Sequence, residues 1–181
     1  RMLRDFYREL VPGTADYHQL IFESKKLILE NYMRGEWENL VHLFRSLNIA
    51  PDMPVDRVRS AIGLFMLSLP VYRVYPDTLP LKGKTLVTVH EALDRALTRG
   101  PEYSEELSVL RTLFTTEPET KETHSRILTF LRRLMQFTGP LTAKGVEDTT
   151  FYIYNPLISH DEVGDSPAPL GMTLQRFHEK M

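Results

Sequence analysis

Ile127, Leu128, Leu131, Leu134 and Met135 recur at three- and four-residue steps within the run Glu119 to Phe137. A backbone with about 3.6 residues per turn brings such positions onto one face, so the spacing predicts an amphipathic helix. Comparable stripes recur along the chain, cut apart by proline and glycine. A helix with one apolar face cannot hide it alone. Several such faces in one chain must bury against each other, and this requirement limits the fold more than any other feature.

Leu3, Phe6, Tyr7 and Leu10 form a first stripe, ended by Pro12 and Gly13. Thr14 can cap the next segment, in which Tyr17, Leu20, Ile21, Leu27 and Ile28 follow helical spacing, interrupted by Ser24. Trp37, Leu40, Val41, Phe44 and Leu47 resume after Gly35, which predicts either two helices or one with a kink. Pro51 and Pro54 make a joint, with Pro54 suited to a first helical turn. Val58, Ile62, Phe65, Met66 and Leu69 continue the pattern until Pro70. Val71 to Tyr75 is β-branched and aromatic between two prolines, so it predicts a short extended piece. Thr88 and Glu91 have capping-box spacing, which starts a helix at Thr88 with Val89, Leu93, Ala96 and Leu97 inward. Gly100 and Pro101 stop it. Ser104 begins another, with Glu105 and Glu106 in its first turn and Leu107, Leu110 and Phe114 inward. Thr173 begins a last helix carrying Leu174 and Phe177.

The expected class is therefore all-α: an orthogonal helical bundle with a short extended segment and a long structured loop. The expected division is a helical domain over 1–125, then 126–181 as a helix, a loop and the start of a further helix. The chain starts at Arg1 and stops at Met181 within an apparent helix, so it is expected to be part of a longer polypeptide. A net charge of -2 gives no broad footprint for nucleic acid or anionic membrane. No apolar run approaches the roughly 20 residues of a membrane span, and Arg1 to Leu10 is too charged for a secretory signal. With 0 cysteines there is no thiolate chemistry, and a cytoplasmic location is expected. The six histidines lack metal-site spacing, so neither metal nor cofactor is expected.

The run Thr138 to Gly164 carries the functional signal. Gly139 and Pro140 are expected to end the long helix. Lys144, Glu147, Asp148, Asp161 and Glu162 then mix with Phe151, Tyr152 and Tyr154. A spacer would hold more Gly and Ser. Charges, hydroxyls and aromatic faces together suit a polar ring such as a sugar, although packing on a neighbouring element accounts for them equally.

This run resembles the maltooligosyl trehalose synthase family of the α-amylase clan. The resemblance rests on Thr138, Gly139, Pro140, Ala143 to Thr149, Phe151, Tyr152, Tyr154 and Glu162 to Gly164. It continues upstream in Pro70, Val71, Tyr72, Arg73 and Tyr75, and in the capped helix from Thr88 to Thr98. Ile153, Asp161 and Asp165 depart from the family's arginine, asparagine and glycine. The resemblance implies an isomerase, a (1→4)-α-D-glucan 1-α-D-glucosylmutase. Such an enzyme turns the reducing-end α-1,4 linkage of a maltooligosaccharide into an α,α-1,1 linkage. It implies a barrel aspartate as nucleophile, a glutamate as acid/base and an assisting aspartate, none of them in this stretch. The partners expected are the maltooligosaccharide and the remaining barrel of the same polypeptide.

Lys144, Glu147, Asp148, Thr149, Tyr152 and Arg73 are the candidate substrate-binding residues. Lys144 can donate to sugar hydroxyls, pair with Asp148, or be an ordinary surface lysine. Glu147 and Asp148 are adjacent, and a glycosidase pair must face one bond from about 5 to 10 Å apart, so they are not the catalytic pair. They can accept from hydroxyls, pair with Lys144 or Arg73, or bond the loop backbone. Arg73 is expected to make an ion pair with the Lys144–Thr149 run, or else to touch substrate. Phe151, Tyr152 and Tyr154 give either a sugar platform or buried rings with satisfied hydroxyls. The other reading of the whole is an autonomous helical protein-interaction module.

Overall fold

A computed structural model describes residues 7, 9–11, 16–154, 175, 178 and 179. The first stripe, the final helix and the run Asp161 to Asp165 therefore fall mostly or wholly outside the described residues. Within them the chain is all-α, with six helices and no strand: α1 Tyr17–Asn31, α2 Arg34–Ser46, α3 Val55–Ser68, α4 Gly83–Arg99, α5 Ser104–Thr115 and α6 Lys121–Thr142.

Local chemistry fixes most of the ends. Asp16 caps α1 by accepting from the amides of His18 and Gln19 at 3.0 and 3.1 Å. The sequence assigned that task to Thr14, which lies outside the described residues. Thr120 caps α6 through the Thr123 amide at 3.1 Å. Pro54 is the residue before α3 rather than inside its first turn, and Gly35 lies within α2 without a break. Two helices, not one kinked helix, occupy residues 17 to 46.

Two readings change and one is refined. First, α4 begins at Gly83, not Thr88, and the Thr88 hydroxyl donates back to the Lys84 carbonyl at 3.1 Å. A threonine bonded to the carbonyl four residues earlier sits inside a helix and does not start one. Second, Val71 to Tyr75 is irregular chain with no strand partner among the described residues. Third, α6 runs through Gly139 and Pro140 to Thr142. An interior proline costs about 3 kcal/mol or more through a lost hydrogen bond and a clash. Here Thr138, Gly139, Leu141 and Thr142 are all buried, and that burial offsets the penalty. The helix then widens into a π-turn at Ala143–Glu147 before a 3₁₀ turn at Thr150–Tyr152.

The core is continuous from Leu29 to Leu141. α3 sits at its centre and touches each of the other five helices. That position explains why Ile62, Phe65 and Met66 are at most 1% exposed. Arg57 on α3 forks onto Glu106 of α5, with N···O distances of 2.6 and 3.0 Å. Glu106 lies in the first turn, as the sequence reads, and its side chain is buried. Burial pushes the Glu106 carboxyl up, but the Arg57 hydrogen bonds outweigh it and hold its pKa below the usual value.

Trp37 packs on α3, and its indole donates to the Arg59 carbonyl at 3.0 Å. A Cβ added to Gly63 would stand 2.6 Å from the Trp37 ring. Gly63→Ala should therefore destabilise the fold by about 1–3 kcal/mol through overpacking, despite alanine's better helix propensity. Trp37 is the 1 tryptophan of the chain, so its emission isolates the contact. Urea unfolding followed at that wavelength should show an earlier midpoint, and a later one would reject the packing argument.

Candidate functional site

The π-turn and the 3₁₀ turn after it form the region to which the sequence pointed. A helix end leaves carbonyls without partners. Two consecutive threonines resolve this here. The Thr149 hydroxyl donates to the Lys144 carbonyl and the Thr150 hydroxyl to the Gly145 carbonyl, each at 2.8 Å. The Asp148 amide closes the wide turn onto the Ala143 carbonyl at 3.2 Å. Thr149, a candidate ligand group, thus has a backbone partner already.

Lys144 and Asp148 meet at 2.5 Å on the exposed side of the turn. The bond to Asp148 raises the Lys144 pKa, so the ammonium stays charged. Glu147 faces elsewhere and accepts from the Tyr72 hydroxyl. Burial, then that bond, pushes the Tyr72 phenol to about 12, which keeps it a donor. Tyr152 is 79% exposed, whereas Tyr154 is buried with its ring 4.9 Å from that of Tyr17. The three aromatics therefore do not form one platform.

Arg73 does not make the expected ion pair with this turn: no described carboxylate pairs with it. Its guanidinium lies against Gly139, where an added Cβ would be 3.3 Å from a terminal nitrogen, and its centre is 5.8 Å from the Tyr75 ring. A Cβ at position 139 would therefore make the Arg73 side chain shift by a few tenths of an ångström. The link between the 70–75 segment and the turn is made by the neighbouring Tyr72 instead. So the structure joins Lys144, Asp148 and Thr149 at one turn, joins Glu147 to Tyr72, and leaves Arg73 and the Tyr152 ring apart.

None of these six residues lines a neighbouring cavity of about 950 Å³. It opens on the other side of the turn, between α1, the 67–72 segment, the end of α4 and the end of α6. Its least expected member is Lys25, which is 1% exposed. The Lys25 ammonium donates to the Leu69 carbonyl, at 3.3 Å, where α3 ends. Burial lowers its pKa from 10.5 to about 8. The sequence did carry a sign of it: Tyr17, Ile21, Lys25 and Leu29 follow four-residue steps, so a charge occupies the inward face. Leu27, assigned to that face, is 49% exposed. Ser68 and Thr142 also line the cavity, and their buried hydroxyls have no partner.

Gly145 sits on Lys25. An added Cβ would stand 2.5 Å from Lys25 Cγ and 2.8 Å from its Cα. Only a glycine lets the turn approach the α1 backbone so closely. Among the described residues no group of three His, Asp or Glu side chains is arranged for a metal, and no helix is long and apolar enough to cross a membrane.

Two outcomes follow. Gly145→Ala should lower the thermal midpoint, by an overpacking cost of about 1–3 kcal/mol, because the obstructing atom is backbone. Lys25 should make stability depend on pH. Between the folded pKa of about 8 and the ordinary 10.5, the unfolded chain holds a proton that the folded chain has released. Stability therefore rises with pH across that window, by on the order of 3 kcal/mol. The raised Tyr72 pKa acts in the opposite sense above about 10. Thermal melts in a pH series should show the rise in the parent chain and a flattened profile in Lys25→Met.

No family model and no curated protein matches the chain. Solved structures do. A point mutant of maltooligosyltrehalose synthase from Arthrobacter ramosus matches with a TM-score of 0.72 at 24% identity, over 98% of this chain and 21% of the other. The DSM5389 glycosyltrehalose synthase matches with a TM-score of 0.61 at 26% identity, over 98% of this chain and 19% of the other. The chain thus spans about a fifth of the solved proteins it resembles, and its helical fold is that of one region of maltooligosyltrehalose synthase.

Proposed function

We propose that this chain is the helical part of an enzyme that converts the reducing-end α-1,4 linkage of maltooligosaccharides into an α,α-1,1 linkage by intramolecular transglucosylation. The observation that carries the proposal is the structural match over 98% of the chain, together with the motif from Thr138 to Tyr154 folding into one hydrogen-bonded turn. The chain's own contribution is enclosure. In a retaining reaction, a glycosyl intermediate is open to attack by water. Isomerisation requires the released glucose to stay in place, turn and re-attack. A wall that excludes water favours that result over hydrolysis.

The turn is built to serve as such a wall against a catalytic barrel. Lys144 and Asp148 project from it as a fixed donor and acceptor pair for sugar hydroxyls. Val71, Tyr72, Tyr152 and Ile153 leave apolar surface exposed on the two segments that the Tyr72–Glu147 bond connects. Glu147 and Asp148 are both engaged, so nucleophile and acid/base come from the barrel, and the chain by itself is inactive. The maltooligosaccharide and that barrel are its proposed partners.

In the enzyme that carries this chain together with its barrel, Lys144→Ala should raise free glucose relative to trehalose-ended product several-fold. Product ratios measured by chromatography decide the point, and an unchanged ratio rejects the wall. The flanking reading frame offers a separate check. Barrel segments bearing glycosidase carboxylates support the enzyme, whereas unrelated flanks favour an autonomous interaction module.

A further inference from the structure

We propose that the cavity floored by Lys25 is a second ligand site, separate from the Lys144 turn, for a phosphate monoester of a small hydroxylated ring. It does not depend on the transglucosylation reading.

Polar groups at both ends of the cavity have bonding capacity to spare. At the mouth, Arg95 and Arg99 lie one helical turn apart on α4. Like charges at that spacing repel each other. Arg99 rests over the Phe22 ring at 3.9 Å and donates to Gln19. No described carboxylate relieves either guanidinium. None of the described lining side chains is acidic, and Glu147, which meets the lining through Tyr72, is occupied by that hydroxyl. Two forked cations facing one opening suit a phosphate dianion.

At the floor, the ammonium of Lys25 has three donors and a single protein acceptor. Ser68 and Thr142 are 6% and 8% exposed and have unpartnered hydroxyls. Such groups are costly to bury unless something bonds them. A hydroxylated ring offers donors and acceptors to Lys25 and, once their side chains rotate toward the cavity, to Ser68 and Thr142. Tyr17, Phe22 and Phe151 add apolar faces to the lining. A cavity of about 950 Å³ admits a sugar phosphate with room to spare. A bare phosphate would meet the mouth and leave the floor unmet; a neutral sugar would do the reverse.

Calorimetric titration of the chain with glucose 6-phosphate, glucose and inorganic phosphate tests this. The sugar phosphate should bind saturably and at least tenfold more tightly than either fragment. Arg95→Gln, an exposed change, and Lys25→Met should each weaken it about tenfold while circular dichroism shows the helices retained. Lys144→Ala should leave it unaltered, which separates this site from the proposed wall. Equal affinity for phosphate and sugar phosphate would reduce the mouth to a non-selective anion patch and overturn the proposal. Absence of saturable binding at millimolar concentration would do so too, as would binding unaffected by both cavity variants.

Discussion

The contact between Gly145 and the backbone of Lys25 holds the functional half of the molecule in place. A glycine allows the end of α6 to reach α1 closer than any side chain permits. That approach buries Lys25, puts the π-turn against the first helix, and leaves Lys144 and Asp148 pointing away from the join. The cavity and the exposed ion pair are therefore two sides of one turn. What separates them is a single layer of backbone, hydrogen-bonded through Thr149 and Thr150.

The residues used differ in how they meet their costs. Lys144 is an exposed cation with a carboxylate beside it, and its charge is cheap to maintain in water. Lys25 is a buried cation with one carbonyl, and its charge is costly. Placing the second kind of group at the bottom of a lined space is a common way to bind a ligand, since the occupant supplies the missing partners. Arg57 and Glu106 illustrate the self-sufficient alternative, where both ends of the fork are filled by protein.

Much of the fold could be read from apolar spacing. The stripes of α2, α3, α5 and α6 are buried apart from the half-buried Trp37, because three- and four-residue steps depend only on helix geometry. The failures have local causes. Proline at position 140 signals a stop, yet burial on both sides of it outweighs the local penalty. Thr88 has the spacing of a cap but spends its hydroxyl on Lys84. In α1 the stripe was phased on Leu27, so the inward position of Lys25 was missed. At the site, the pairing of Lys144 with Asp148 was one of the alternatives the sequence left open. The role of Tyr72 in place of Arg73 was not legible, since which of two neighbours bonds the turn depends on tertiary placement, which sets Arg73 against Gly139.

The wide turn at Ala143–Glu147 spends five residues where an ordinary helical turn spends four. That surplus sets the phase of everything after it. Deleting one residue would swing the following chain by about 100° around the helix axis. The hydroxyls of the threonine pair would then leave the carbonyls they serve, and Tyr154 would rotate off Tyr17. Length between Ala143 and Thr150 is thus under tighter geometric control than identity at its exposed positions.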